Sequence, residues 1–170
     1  MHIKLLIYFL KFNQLKIILL NLWLMNIHLK IINSNKLLDV RSKVLRNNAS
    51  HESCGFEGDF RKNSIHIGAY LDYELVGGIS IIKNNSSYKK LKNCYQFRGM
   101  CVLKKFQNNG IGNKILLEAE NQCKKRNINN VWMNARIKAL DFYLKFKYQD
   151  LGIRYNIKGI GLHCFLFKKL

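Results

Sequence analysis

Gln107, Asn108, Asn109, Gly110, Ile111 and Gly112 follow an apolar segment, Tyr95–Leu103, and open a helical pattern that runs Ile111–Arg126. Strand, glycine-bearing turn and helix N-terminus, in that order, build an anion cradle. The turn N–H groups and the first helical N–H groups have no partner within the helix. Gly110 and Gly112 let the backbone close on a phosphate and take φ values that side chains disfavour. Such a turn is weak by itself, because ordinary turns carry the same glycines. Asn134 follows at the end of the short apolar segment Val131–Met133, and Tyr143 stands four residues after Ala139, on the same face of a helix. Asn134 can equally cap a helix near Arg136. Tyr143 can equally be a core aromatic beside Phe142, Phe146 and Tyr148.

The elements that must position these groups are legible in the periodicities. His28–Ile32 reads as a strand. Lys36–Arg46 sets Leu37, Val40, Val44 and Leu45 at helical spacing, with Ser34 or Asn35 as cap. Asn47–Asn63 is loop or a short second helix. Ser64–Leu71 alternates, Asp72 to Glu74 turns, and Leu75–Ile82 returns, which predicts a hairpin. Lys83–Asn93 is a polar loop. Within Ile111–Arg126, Ile111, Ile115, Ala119 and Cys123 form one apolar stripe, and Glu120 and Lys124 form an i,i+4 surface pair. Asn129–Asn134 reads as a strand and Ile137–Phe146 as a helix. Ile153–Ile157 and Leu162–Phe167 close the pattern. The sum predicts a mixed α/β (α+β) domain with a mostly antiparallel sheet. One crossover helix joins two parallel strands.

The chain has 170 residues, enough for one domain with a real core. Its formal charge of +19 suits an anionic partner, but the lysines are scattered and no basic block appears. Abundant Lys, Asn and Ile with no proline is the bias of an AT-rich genome. The five cysteines are irregularly spaced, with no CxxC pair, so neither a zinc site nor a disulfide framework is expected. Cys101, Cys123 and Cys164 fall in apolar patterns and read as buried hydrophobes. A reducing, cytoplasmic setting follows. Residues 1–26 are apolar but broken by Lys11, Asn13, Gln14 and Lys16. They read as an extension upstream of a true start at Met25, or as an amphipathic membrane-surface helix. The domain proper is residues 27–170.

Four segments together resemble the GNAT superfamily of acetyl-CoA-dependent N-acetyltransferases. Tyr95-Gln96-Phe97-Arg98-Gly99-Met100-Cys101-Val102 looks like that family's fourth strand. Gln107–Gly112 matches its pyrophosphate signature Q/R-x-x-G-x-G/A. Asn134-Ala135-Arg136, with Ala139, Phe142 and Tyr143, looks like its fifth strand and the helix after it. Gly159-Ile160-Gly161-Leu162-His163 looks like the approach to the closing strand. The resemblance covers about residues 28–170. It implies a splayed fourth and fifth strand pair holding coenzyme A. Met100, Cys101 and Val102 would offer backbone groups to the pantetheine arm, one N–H stabilising the developing oxyanion. Gln107, Asn108, Asn109, Gly110, Ile111, Gly112 and Asn113 would wrap the pyrophosphate. Asn134 would reach the pantetheine amides, Ala139 would leave room, and Tyr143 would protonate the departing thiolate. Asn108 and Asn109 stand where the family often has Gly and a basic residue. Lys104, Lys105 and Lys114 are near enough to compensate.

The resemblance also implies an acceptor pocket from the loop after the first helix, the hairpin and the closing strands. No spacing selects the general base among Glu52, Glu57, Glu74, His66 and His163, and a water relay or a neutral amine serves as well. Arg98 either binds an acidic substrate group or pairs with a surface carboxylate. The activity implied is acetyl transfer from acetyl-CoA to a primary amine on a small molecule or protein, by direct attack in a ternary complex. No metal takes part. A non-catalytic acyl-CoA sensor is the alternative, and a nucleic-acid partner is not expected. A homodimer is left open, and membrane contact depends on residues 1–26.

Overall fold

The structure, a computed structural model, describes residues 26–86 and 94–170. The expectations for the apolar N-terminal segment and for most of the loop after Lys83 lie outside those residues. Strands β1 (Ile27–Ile31), β2 (Ile65–Leu71), β3 (Glu74–Lys83), β4 (Tyr95–Val102), β5 (Asn130–Arg136), β6 (Gln149–Ile157) and β7 (Gly161–Lys169) form one sheet, in the order β1-β2-β3-β4-β5-β7-β6. Only β4 and β5 run parallel. The crossover between them carries helix α2 (Ile111–Lys124), as the sequence pattern predicts. Among the described residues, the other α-helices are α1 (Leu38–Leu45) and α3 (Leu140–Lys145). Among the described residues, no helix is long and apolar enough to cross a membrane.

The stripe Ile111, Ile115, Ala119 and Cys123 is buried against the sheet. Strand β3 admits helices on both faces through two adjacent glycines. A Cβ on Gly77 would come within 3.1 Å of Ile115, and one on Gly78 within 2.4 Å of Leu37. One glycine thus clears α2 and the other clears the turn leading into α1. This two-sided cover explains why β2 is buried at His66 and Gly68 as well as at its alternating apolar positions. All five cysteines are buried thiols outside any disulfide.

Several boundaries and pairings differ from expectation. A 3-10 turn, Ser34–Leu37, precedes α1, so the cap moves to Asn33, whose side chain makes no capping bond. A second 3-10 turn, Ile137–Ala139, takes up the start of the expected helix before α3. Strand β6 begins at Gln149, four residues early, because a bulge interrupts its alternation. There the Asp150 carboxylate accepts from the Gly152 N–H and pairs with Arg154. Glu120 does not pair with Lys124 on the surface. It is buried, and both its oxygens accept from Lys168 Nζ at 2.7 Å. The helix register that buries Ile115 and Ala119 turns Glu120 toward β7, where only Lys168 supplies a counter-charge.

Beneath α1 lies a buried polar cluster. Arg41 is fully buried and forks onto Asp59, Nη1 to Oδ2 at 2.6 Å and Nη2 to Oδ1 at 3.2 Å. It also donates to Ser80 Oγ and to the Cys54 carbonyl. His66 joins through Ser80 Oγ at 2.6 Å and the Asp59 carbonyl at 2.8 Å. Burial lowers the His66 pKa below the ordinary imidazole value. Asp59 also accepts from the Phe56 N–H at 2.8 Å, so one carboxylate pins both the helix and the loop. Replacing Asp59 with Ala would strand the Arg41 charge. The expected loss is about 3–5 kcal/mol, read from denaturant unfolding; a loss under about 1 kcal/mol would mean that Arg41 finds water instead.

Candidate active site

Strands β4 and β5 stay together only at Tyr95↔Val131 and Gln96↔Trp132. Beyond those positions they part, while β5 remains paired with β7 from Asn130↔Lys169 to Arg136↔His163. On β4 the parting coincides with a bulge. Cys101 opposes Gly78 and Arg98 opposes Ser80, so Gly99 and Met100 together face Ile79. Gly99 takes φ +60°, and a Cβ there would sit 2.3 Å from the Phe56 ring. Both facts require glycine at this position. Facing edges of Phe97–Val102 and Met133–Arg136 are therefore left without a strand between them.

The turn at the far end of β4 is an open helix start. Gly110 is the N-cap of α2, at φ 73° and ψ 0°, with no side-chain capping bond and no acidic residue in the first turn. A Cβ at Gly110 would enter open space. Asn108 adopts φ +63°, the left-handed conformation that asparagine tolerates better than most residues. Gln107 does not point its amide outward: Nε2 donates to the Val102 carbonyl at 2.9 Å and ties the turn to the strand end. That carbonyl is thus already engaged. Of the lysines expected to compensate, Lys105 pairs with Glu74 at 2.9 Å. Asn113 is exposed in the first turn of α2.

A cleft of about 210 Å³ lies between the parted strands. Met100, Asn134, Ala139 and Tyr143 all line it, so four of the expected site residues meet there. Cys101 and Val102 are on the same strand but buried, and burial pushes the Cys101 thiol up to about 12. The turn 107–112 does not line this cleft. Tyr143 is 8 % exposed and donates to Met100 Sδ at 3.5 Å. Its ring packs edge-on against Phe142 and Tyr148. Burial, reinforced by the Cys101 and Cys164 thiols, pushes its phenol above the ordinary tyrosine range. The rival phenol, Tyr148, is buried in the core beside Glu120. Asn134 caps nothing, since the following turn and helix start without side-chain capping bonds.

Among the candidate bases, only His163 reaches the cleft. Its Nδ1 lies 2.7 Å from the Gly161 carbonyl, which can only accept, so Nδ1 donates and Nε2 is not used in that bond. His66 belongs to the buried cluster under α1. Glu57 pairs with Arg61, Glu74 with Lys105, and Glu52 is exposed. The loop after α1 and the closing strands do line the cleft, through Phe56, Ile157 and Ile160; the β2–β3 hairpin does not. Sequence reasoning did not single out Phe56 or Arg46 and gave Arg136, a member of the Asn134-Ala135-Arg136 segment, no role of its own; the three come together only through folding. The positive φ of Gly99 has a signal in principle, a glycine inside a strand pattern.

A family model for the acetyltransferase (GNAT) domain matches residues 42–165. The chain is 27% identical over 144 residues to an uncharacterized N-acetyltransferase, YitI, of Bacillus subtilis, covering 85% of this chain and 97% of that protein. The crystal structure of Escherichia coli ElaA is similar at a TM-score of 0.67 and 16% identity, covering 84% and 99% of the two chains. So is PaiA N-acetyltransferase of Thermoplasma acidophilum in complex with coenzyme A, at 0.59 and 18%, covering 86% and 100%. The chain belongs to the GNAT acetyltransferases and is an acyltransferase.

The raised phenol has a consequence for stability. Below about pH 10 a free phenol keeps its proton, so folded and unfolded chains hold it alike. Above that, the unfolded chain releases a proton that folded Tyr143 retains, and stability falls as pH rises. Tyr143→Phe is expected to make the alkaline fall of the denaturant midpoint shallower than in wild type. Superimposable alkaline limbs would mean that Tyr143 titrates as an exposed phenol.

Proposed function

We propose that this acyltransferase moves an acetyl group from acetyl-CoA to a primary amine by direct attack within a ternary complex. The observation that carries the proposal is the parting of β4 from β5 after two paired residues, with Tyr143 and Asn134 at the gap and an uncapped helix start beyond it. A pantetheine arm is an extended amide chain, able to pair with both open edges as a strand would. The first-turn N–H groups of α2 and the positive end of its dipole suit a pyrophosphate. That similar folds bind coenzyme A, as PaiA does, supports this choice of donor.

Acetyl-CoA supplies a thioester whose thiol is the leaving group. Met100 and Cys101 present backbone groups to the arm, while Gly110, Ile111, Gly112 and Asn113 hold the diphosphate. Asn134 contacts the arm's amides, and Ala139 keeps the path open. Tyr143 stays protonated throughout the neutral range and so can give its proton to the departing sulfur. His163 Nε2 takes the amine proton, directly or through water.

Tyr143→Phe is expected to lower kcat by about 100-fold or more, measured by thiol release, with CoA affinity by calorimetry nearly unchanged. Equal turnover would remove Tyr143 from the chemistry. His163→Gln is expected to lower kcat/KM for the amine by about 100-fold; an unchanged kcat/KM would return the proton to another group. CoA binding without turnover on any amine would instead favour an acyl-CoA sensor.

A further inference from the structure

The cleft between β4 and β5 is lined by three guanidinium groups, Arg46, Arg98 and Arg136, and by no carboxylate. The chain contains ten Asp and Glu residues, and all of them fall within the described residues. Among the described residues, the ion pairs they form use other partners: Arg41, Lys43, His51, Arg61, His66, Lys105, Arg154 and Lys168. Arg98 and Arg46 stand over the Phe56 ring, 4.6 Å and 5.8 Å from its centre, with the neutralised Arg41 at 4.4 Å. Arg98 donates to the Glu57 carbonyl at 3.4 Å and Arg136 to the Leu45 carbonyl at 2.8 Å. Those oxygens orient the forks but bring no net charge. All three arginines are half-buried. Burial draws the Arg98 pKa down and Arg41 and Arg46 add to this, while the Asp59 and Glu57 carboxylates, neither ion-paired with Arg98, partly offset it.

Half-buried cations grouped without an ion-paired carboxylate are costly unless an anion arrives with the ligand. The donor's diphosphate is not that anion, because the glycine turn does not line this cleft. We infer that the acceptor is a small primary amine carrying a carboxylate or phosphate group, held by Arg98 and Arg46 while its amine faces the thioester. This inference rests on the proposed acetyl transfer. A planar fork suits both anions. The donor's arm takes part of this cleft of about 210 Å³, and the room left beside the arginines suits a small acceptor. Polycationic amines are disfavoured by the same arginines.

The test titrates the protein with paired amines by calorimetry, with and without CoA, and follows thiol release with acetyl-CoA. O-Phosphoethanolamine is set against ethanolamine, β-alanine against β-alaninamide, and spermidine stands for polycations. At least one anionic amine is expected to bind about tenfold or more tightly than its uncharged counterpart, with spermidine weakest. Arg98→Gln and Arg46→Gln should each remove most of that preference by raising the KM for the amine, Arg98→Lys should keep part of it, and CoA binding on the same samples should report intact folding. Anionic amines no better than their counterparts, or a preference that survives both glutamine variants, would overturn the inference. Absence of CoA binding by wild type would overturn acetyl transfer instead, and the anion preference would still be read from the titrations without CoA.

Discussion

Two parallel strands that stay joined for only two residues define this molecule. Backbone N–H and C=O groups are obligatory hydrogen-bonding groups, so the open edges of β4 and β5 must be met by something that is not a strand of the fold. What keeps them apart is built from both sides. Strand β5 is committed to β7 over its whole length and cannot follow β4. Strand β4 bends away at the Gly99 bulge, against which the Phe56 ring packs. Phe56 is held through its N–H by Asp59, and Asp59 is held by Arg41 under α1. A buried ion pair that does not itself line the cleft therefore shapes it from behind Phe56.

The electrostatics of the two ends differ in origin. At the helix start, partial charge comes from backbone groups and needs no side chain. In the cleft, the charge comes from whole guanidinium groups. Arg41 shows what a neutralised buried arginine looks like in this chain: a fork on a carboxylate, a hydroxyl and a carbonyl. Arg46, Arg98 and Arg136 have no such carboxylate. The contrast within one protein separates a cation that holds the fold from cations that line the cleft without a carboxylate of their own.

Much of the fold was legible beforehand because period and punctuation are local properties. The stripe on α2, the β2–β3 hairpin and the closing strands all follow from residues near one another in the chain. The misplaced features share a cause. The bulge in β6 hid its first residues because alternation breaks there, and Glu120 looked like a surface residue because Lys168, its partner, is 48 positions away. The candidate site was legible where it is a contiguous motif, at Gln107–Gly112 and from Asn134 to Tyr143. It was not legible where it is an assembly. Nothing in the local sequence of Arg46, Phe56 or Arg136 announces a shared wall, and five candidate bases could not be ranked without knowing which of them reach the gap.

The sequence by itself determined the family, the order of elements and the glycine turn, because each depends on residue type at short spacing. Tertiary structure alone decided the rest. It showed that Gln107 turns back to Val102, that only His163 among the candidate bases meets Tyr143 in one cleft, and that no carboxylate accompanies the three arginines there. Those facts depend on which side chains the sheet order and the register of β5 on β7 bring together, and on the burial that then raises the Tyr143 phenol.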